Sequence, residues 1–234
     1  TMTARLFKAT KQIKVPETPV RADGTIDSTF KLRWYRQHFF DYFDLGDDAL
    51  LRLPKPLYTE KINEYVDRLY APQPDTLFNV IKKLATVAKK NQETYKYLVW
   101  NYILKYQNPE IMGLDKLFVE LYDEYYGSGE MDFWINEKSK TSLKEHADRL
   151  RKSLVGNIAP NLIMQDITST PRSMYDIKKD FTILWFFDPD CGHCKTETPK
   201  LVNFYETTKF NVEVYAVSAD TSMAKMRDYI KNMN

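Results

Sequence analysis

The sequence has little of the residues that build tight turns and disulfide scaffolds, with 7 glycines and 2 cysteines among 234 residues. Because β-sandwiches depend on glycine at turns with positive φ, this scarcity disfavours an all-β architecture and favours helices. Two cysteines exclude a scaffold held by several disulfides. No run of about eighteen or more apolar residues occurs, so the sequence predicts no segment that spans a bilayer.

A concentrated charge of one sign is also missing. The 34 Lys and Arg residues are opposed by 32 Asp and Glu residues, which leaves a net charge of +2. Nucleic-acid binding requires a concentrated basic face that displaces counterions from phosphates, so this class of partner is not expected.

Apolar and aromatic residues are plentiful, at 43% and 14% of the chain, which excludes disorder and supports a well-filled core. The length of 234 residues favours two domains over one. The aromatic residues of the first part could line a sugar- or peptide-binding surface, but their large apolar area favours core packing. They include Trp34, Tyr35, Phe39, Phe40, Tyr42, Phe43, Trp100, Tyr102 and Trp134.

Hydrophobic periodicity divides the chain near Gly156. Residues 1–25 are predicted to form an N-terminal helix and linker, with residues 15–24 extended, and residues 26–155 a helical domain. Helices are expected near residues 28–43, 59–70 and 93–107, separated by prolines at 54, 56, 72 and 74. Three apolar stripes predict further helices: Leu77, Ile81, Leu84 and Ala88, with Asp75 as N-cap; Ile111, Leu114, Phe118, Leu121 and Tyr125, ending at Gly127; and Leu143, Ala147, Leu150 and Leu154, ending at Gly156.

A different pattern follows in residues 156–234. Short apolar or β-branched runs predict strands at residues 161–167, 181–187 and 212–217, and helical segments are expected near 195–208 and 221–233. Alternation of strands and helices implies an α/β layer with parallel strands. The predicted fold class is therefore α plus α/β, a helical domain followed by an α/β domain.

Both cysteines lie in one motif, Cys191-Gly192-His193-Cys194, between a predicted strand and a predicted helix. A cysteine at the start of a helix faces the positive end of the helix dipole and free N–H groups, which lower the pKa of its thiol. Cys191 is the predicted nucleophile. Cys194, one turn further and more enclosed, is the predicted resolving thiol that attacks a mixed disulfide at Cys191.

Charged neighbours act on this thiol in opposite directions. A protonated His193 would stabilise the thiolate and make the pair more oxidising, which adds His193 to the candidate catalytic residues. The carboxylates of Asp188 and Asp190 are expected to raise the pKa of Cys191.

The run TILWFFDPDCGHCK at residues 182–195, with Pro199 five residues after the second cysteine, resembles a thioredoxin-fold active site. The run GNIAPNL at residues 156–162 is similar to the entry segment of the TlpA-like and peroxiredoxin-related branch. The resemblance implies that Pro199 is the proline that kinks the active-site helix and that no cofactor or metal is needed. The helical part is similar to a domain of unknown function that precedes thioredoxin-like domains in exported bacterial envelope proteins.

Three features depart from the thioredoxin pattern. Trp185 stands where the family commonly has a buried carboxylate, and Asp190 stands where an aromatic residue is usual. The family's cis-proline would lie beyond a further strand, yet Pro199 is the last proline. The resemblance therefore predicts a thioredoxin-like domain at residues 156–234 that is incomplete, truncated before the cis-proline hairpin.

The cysteine pair could also be an inert disulfide or part of a metal site. A closed zinc site needs four ligands, and only His38, His146 and His193 could supplement the two thiols, so no metal is expected. His38 and His146 are interpreted as structural or solvated, because no acid or nucleophile stands at a telling spacing from either.

The sequence thus predicts a thiol–disulfide oxidoreductase that exchanges disulfides with protein substrates and with an upstream redox partner. The resemblance implies the bacterial periplasm or cell envelope as its location. Two alternatives stay open, namely a thiol peroxidase of peroxiredoxin-like type, and a helical binding or scaffold module with a vestigial redox domain.

Overall fold

The structure is a computed structural model that describes residues 2–20, 22–53 and 56–233. The chain forms two compact units, Thr1–Ile158 and Ala159–Asn234. The described part of the first unit is helical, and that of the second combines two small sheets with two long helices. The α plus α/β fold class predicted from the sequence is confirmed.

Seven α-helices are described in the first unit, and a 3₁₀ turn at Asp48–Arg52 lies between the second and the third. The helices are α1 Met2–Ala9, α2 Phe30–His38, α3 Leu57–Leu69, α4 Pro74–Ala88, α5 Gln92–Gln107, α6 Asp115–Leu121 and α7 Glu137–Arg151. The chain between α1 and α2 is largely extended up to an isolated bridge of Val20 to Ile26. Arg21 of the predicted linker and the predicted break at Pro54 and Lys55 lie outside the described residues.

The start of α4 corrects one sequence prediction. Asp75 is not the N-cap, because the helix begins at Pro74 with Gln73 before it. Proline suits the first helical position since its φ is already helical and its missing N–H would have no partner there. Asp75 instead pairs through Oδ1 with Lys116 Nζ at 2.5 Å.

The second predicted stripe begins later than expected and ends in a wider helical turn. Ile111 precedes α6 and is 50% exposed, whereas the other four members of the stripe are buried. After Leu121 the helix continues as a π-helical segment, Tyr122–Gly127. The wider turn places the adjacent Tyr125 and Tyr126 both in the interior, and the segment ends at Gly127 as predicted.

Aromatic residues fill the core of the first unit, as the sequence predicted, with Phe39, Phe43 and Tyr102 almost fully buried. Buried hydroxyls bond to backbone carbonyls that lie far away in the sequence. Tyr102 in α5 donates to the carbonyl of Ile62 in α3 at 2.9 Å. Burial raises the pKa of Tyr102, so its hydroxyl stays protonated and remains a donor.

The second unit contains a hairpin and a parallel strand pair. Strands β1 Ile163–Gln165 and β2 Pro171–Ser173 are antiparallel, and β3 Phe181–Phe187 and β4 Val212–Ser218 are parallel. Helix α8 Gly192–Thr207 connects β3 to β4, and α9 Met223–Met233 follows. The order β3, α8, β4, α9 and the bounds of β3 are confirmed. Strand β2 was not predicted.

Prediction for the helical core. Replacing Tyr102 by Phe should lower the free energy of unfolding by about 1 kcal/mol, because a buried hydrogen bond between α5 and α3 is lost. Urea denaturation followed by circular dichroism measures this change, with the slope against urea unchanged. The matched control is Tyr42→Phe, since the described residues supply no hydrogen-bond partner for that half-buried hydroxyl. Equal midpoints for both variants would contradict the structural role of the Tyr102 bond.

Candidate active site

A short turn carries the chain from β3 to the cysteine motif. The carboxylate of Asp188 accepts the N–H of Asp190 at 2.8 Å, and its carbonyl accepts the N–H of Cys191 at 3.1 Å. Pro189 between them is buried. These contacts fix the residue that follows, so Cys191 enters α8 as its N-cap with extended backbone, at φ −76° and ψ 120°.

Cys191 and Cys194 occupy the N-cap and the third position of α8, and both are half-buried free thiols. The predicted helix start at residue 195 is therefore three residues late. The pKa of Cys191 lies below its ordinary value, first because of the backbone N–H of Cys194 and next because of the Cys194 side chain. The N–H of His193 contributes further. Cys191 forms no capping hydrogen bond, so these groups act mainly by stabilising the negative charge of the thiolate.

The two carboxylates that were expected to oppose ionisation of Cys191, those of Asp188 and Asp190, have different partners in the structure. Asp188 raises the pKa of Cys191 through its charge, as predicted, but less than the N–H groups lower it. Asp190 is paired with Lys225 of α9, with 2.7 Å between Oδ2 and Nζ. Sequence reasoning missed Lys225, because the pair forms only when α9 packs beside the motif.

The side chain of His193 is exposed, and within the described residues its ring has no hydrogen-bond partner. It lies at the second position of α8, two residues after Cys191. Pro199 is exposed and lies inside α8. Because proline has no N–H, the carbonyl of Lys195 receives no helical hydrogen bond from this position.

Tyr229 of α9 packs against the elements that carry the motif. The sequence analysis did not identify this residue. Its ring is 6% exposed and stacks on Phe187, the last residue of β3, at 4.9 Å between centroids. Its hydroxyl lies 2.8 Å from the hydroxyl of Thr198 in α8. One side chain therefore joins the end of β3, α8 and α9 around the cysteine turn.

Trp185 lies six residues before Cys191, where the thioredoxin resemblance leads one to expect a carboxylate. It shares a face of β3 with Phe187, since alternate residues of a strand point to the same side. Its indole nitrogen is buried without a hydrogen-bond partner among the described residues. An indole N–H donates a hydrogen bond and takes up no proton, so Trp185 does not replace the carboxylate as a base.

The other histidines make structural contacts in the first unit. His38 stacks on Trp34 at 4.1 Å between centroids and contacts Asp41 at 2.8 Å, while His146 contacts the carbonyl of Gln107 at 2.7 Å. Within residues 2–20, 22–53 and 56–233, no group of three or more His, Cys, Asp or Glu side chains is arranged to hold a metal ion. None of the helices described in these ranges combines the length and apolarity needed to cross a membrane.

Comparisons with known proteins agree with this architecture. Residues 155–234 match the family model described as AhpC/TSA family, and residues 2–150 match that of a domain of unknown function (DUF5106). A crystal structure of a thioredoxin-like protein from Bacteroides caccae aligns with 94% of this chain and 79% of that chain, at a TM-score of 0.62 and 15% identity. At this identity the alignment shows a shared fold. A comparison with curated proteins found no match. The thioredoxin-like resemblance predicted from the motif is confirmed.

Prediction for the thiol pair. Reduced Cys191 should react with iodoacetamide at lower pH than an ordinary thiol, because its pKa is lowered and the thiolate is the reacting form. Cys194→Ala should shift the midpoint of the pH profile upward, since the side-chain contribution of Cys194 is removed while the backbone N–H remains. Cys194→Ser, which keeps a donor hydroxyl, should shift it less. Tandem mass spectrometry locates the label on Cys191, and identical midpoints in all three proteins would refute the assigned cause.

Proposed function

Since the chain belongs to the family defined by the domain of unknown function DUF5106 and carries a thioredoxin-like AhpC/TSA domain, we propose that it is a thiol–disulfide oxidoreductase acting on protein substrates. Cys191 is the attacking thiol and Cys194 the resolving thiol. The observation that carries the proposal is the placement of Cys191 at the N-cap of α8, where the Cys194 N–H and side chain lower its pKa.

The reducing reaction proceeds by two thiol–disulfide exchanges. The Cys191 thiolate attacks one sulfur of a substrate disulfide, which forms a mixed disulfide and releases the other substrate sulfur as a thiolate that takes up a proton. Cys194 loses its proton to solvent and attacks Cys191 Sγ. The second substrate sulfur leaves as a thiolate, so the substrate gains two electrons and the protein holds a Cys191–Cys194 disulfide. A dithiol partner restores the reduced pair by the same exchange in reverse.

Two further residues support this reaction in the proposal. His193, when protonated, adds positive charge beside the Cys191 thiolate and favours the reduced form of the pair. Pro199 interrupts the hydrogen-bond ladder of α8 and so shapes the helix that carries both cysteines. Neither residue exchanges electrons, and the exposed ring of His193 can also meet an incoming substrate.

A thiol peroxidase is the second candidate, because the AhpC/TSA match extends over the whole second unit. A peroxidase uses the same thiolate but transfers oxygen from a peroxide to Cys191 as a sulfenic acid, which Cys194 then converts to a disulfide with loss of water. The two candidates differ in their oxidant and therefore in their rates with peroxide.

The proposal includes the bacterial cell envelope as the place of action, on the basis of the resemblance of the helical domain to that of exported proteins. The cysteine pair itself does not favour this location, because a single thiol pair without other cysteines suits the cytosol and the periplasm alike. Fractionation of cells that express the complete gene tests this location, and recovery of the protein with cytoplasmic markers would argue against it.

Prediction for disulfide exchange. With dithiothreitol as reductant and insulin as a disulfide probe, the wild-type protein should accelerate reduction, and Cys191→Ser should lose nearly all of this activity because the attacking sulfur is gone. In a separate reaction without dithiothreitol, reduced Cys194→Ser should form a mixed disulfide with the probe, since attack proceeds but resolution is blocked. Dithiothreitol added afterwards should release the adduct. Non-reducing electrophoresis detects the adduct. If Cys191→Ser forms the same adduct, or if both variants reduce insulin as the wild type does, the assigned roles are wrong.

Prediction for peroxide. The reduced wild-type protein should consume hydrogen peroxide no faster than expected from its thiolate fraction alone, because the proposed oxidant is a disulfide. Stopped-flow measurement of Cys191 oxidation against peroxide concentration tests this, with a small-molecule thiol as the reference. A rate constant several orders of magnitude above the reference, lost in Cys191→Ser, would favour the peroxidase.

A further inference from the structure

We propose that Lys225 is a positioning residue of the redox motif, which holds the carboxylate of Asp190 in an ion pair so that its charge does not oppose the ionisation of Cys191. The inference rests on the proposed function in taking Cys191 as the attacking thiol. According to this inference, a residue of α9 that lies outside the motif influences the acidity of the Cys191 thiol.

The geometry that carries the inference is an ion pair directly before the nucleophile. Asp190 precedes Cys191 in the chain, and its Oδ2 lies 2.7 Å from Lys225 Nζ. The same ammonium group contacts Asp220 Oδ2 at 3.1 Å. The pKa of Lys225 is raised, first by its bond to Asp190 and next by its bond to Asp220, so the ammonium stays charged throughout the range in which Cys191 titrates.

Helix α9 is held at this position by contacts that do not involve Lys225. One turn further along α9, Tyr229 stacks on Phe187 and contacts Thr198 through its hydroxyl. These contacts fix α9 against the end of β3 and the first half of α8. The ammonium of Lys225 is therefore delivered to Asp190 by a packed helix rather than by a freely moving chain.

Three segments place charged or polar groups near the cysteine motif. The turn before it carries Asp188, which raises the pKa of Cys191, and Asp190. Helix α8 contributes His193 and the N–H groups of its first turn, and the β4–α9 region contributes Asp220 and Lys225. Asp190 is paired with Lys225. Asp188 raises the pKa of Cys191 through its charge.

The ion pair itself contributes little to stability. The two side chains are 51% and 68% exposed, and exposed pairs of this kind add little to the free energy of unfolding. A charge one residue from a thiol nevertheless changes the fraction ionised, because even a modest Coulomb energy acts directly on the proton equilibrium. Removing Lys225 is therefore expected to alter thiol acidity more than folding.

The test is the pH profile of Cys191 alkylation in the full chain, with iodoacetamide as the probe and tandem mass spectrometry to locate the label. Lys225→Met should slow alkylation about two- to fourfold at pH values below the thiol midpoint, because the carboxylate of Asp190 is left without its cation. At high pH, where the thiol is fully ionised, the rate should equal that of the wild type. Lys225→Arg should restore most of the low-pH rate.

Asp190→Asn supplies the decisive comparison. This variant should alkylate at least as fast as the wild type, and adding Lys225→Met to it should have little further effect, because the charge that Lys225 masks is then absent. The matched control is Lys200→Met, which breaks a pair of the same 2.7 Å length with Glu197 later in α8 and should leave the profile unchanged.

Several results would overturn the inference. One is a wild-type pH profile for Lys225→Met. Another is that Lys225→Met slows alkylation equally with and without Asp190, and a third is that Lys200→Met slows alkylation as much as Lys225→Met does. A lower plateau at high pH would show loss of access or folding instead, and would also count against it. The alkylation needs no disulfide substrate. A profile that behaves as expected in a protein that fails to trap insulin would therefore refute the proposed function, while the effect of Lys225 on the acidity of Cys191 would stand.

Discussion

The chemistry of the second unit depends on the orientation of the first N–H groups of α8 toward the sulfur of Cys191. These donors are free because a helix leaves its first turn without internal partners, and the N-cap is the position that faces them. A thiol placed there gains a stabilised anion without any metal or buried cation. The turn at Asp188 and Pro189 matters because it ends β3 at the residue from which Cys191 can take the N-cap.

This local arrangement is held by tertiary contacts from a later helix. Tyr229 contacts both elements that flank the motif, and Lys225 contacts the residue before the nucleophile. The two contacts act on different properties. The tyrosine fixes where the strand and the helix lie, and the lysine changes the charge that the thiol experiences. The motif in the sequence therefore supplies the two sulfurs of the proposed reaction, whereas α9 adjusts their environment.

Features that depend on neighbouring residues could be predicted from the sequence, whereas contacts between residues far apart in the chain could not. Strand β3 and its helix were predictable because an apolar run ends at Phe187 and a turn-forming Asp-Pro pair follows it, which are signals within a few residues. The position of the two cysteines after β3 was predictable for the same reason, although α8 begins at Gly192 and not at residue 195 as predicted. Lys225 and Tyr229 were not, because an exposed lysine and a buried tyrosine on an amphipathic helix carry no sign of which partner they meet. Asp75 shows a local failure, since proline at the first position of α4 replaced the expected cap.

The late position of α9 has a consequence for synthesis. Tyr229 follows Cys191 by 38 residues, so on a ribosome that adds ~5–20 residues per second the motif emerges roughly 2 to 8 s before its last supporting contacts can form. During that interval Asp190 has no lysine beside it. The thiol of the nascent chain therefore acquires its final charge environment only after α9 has been made.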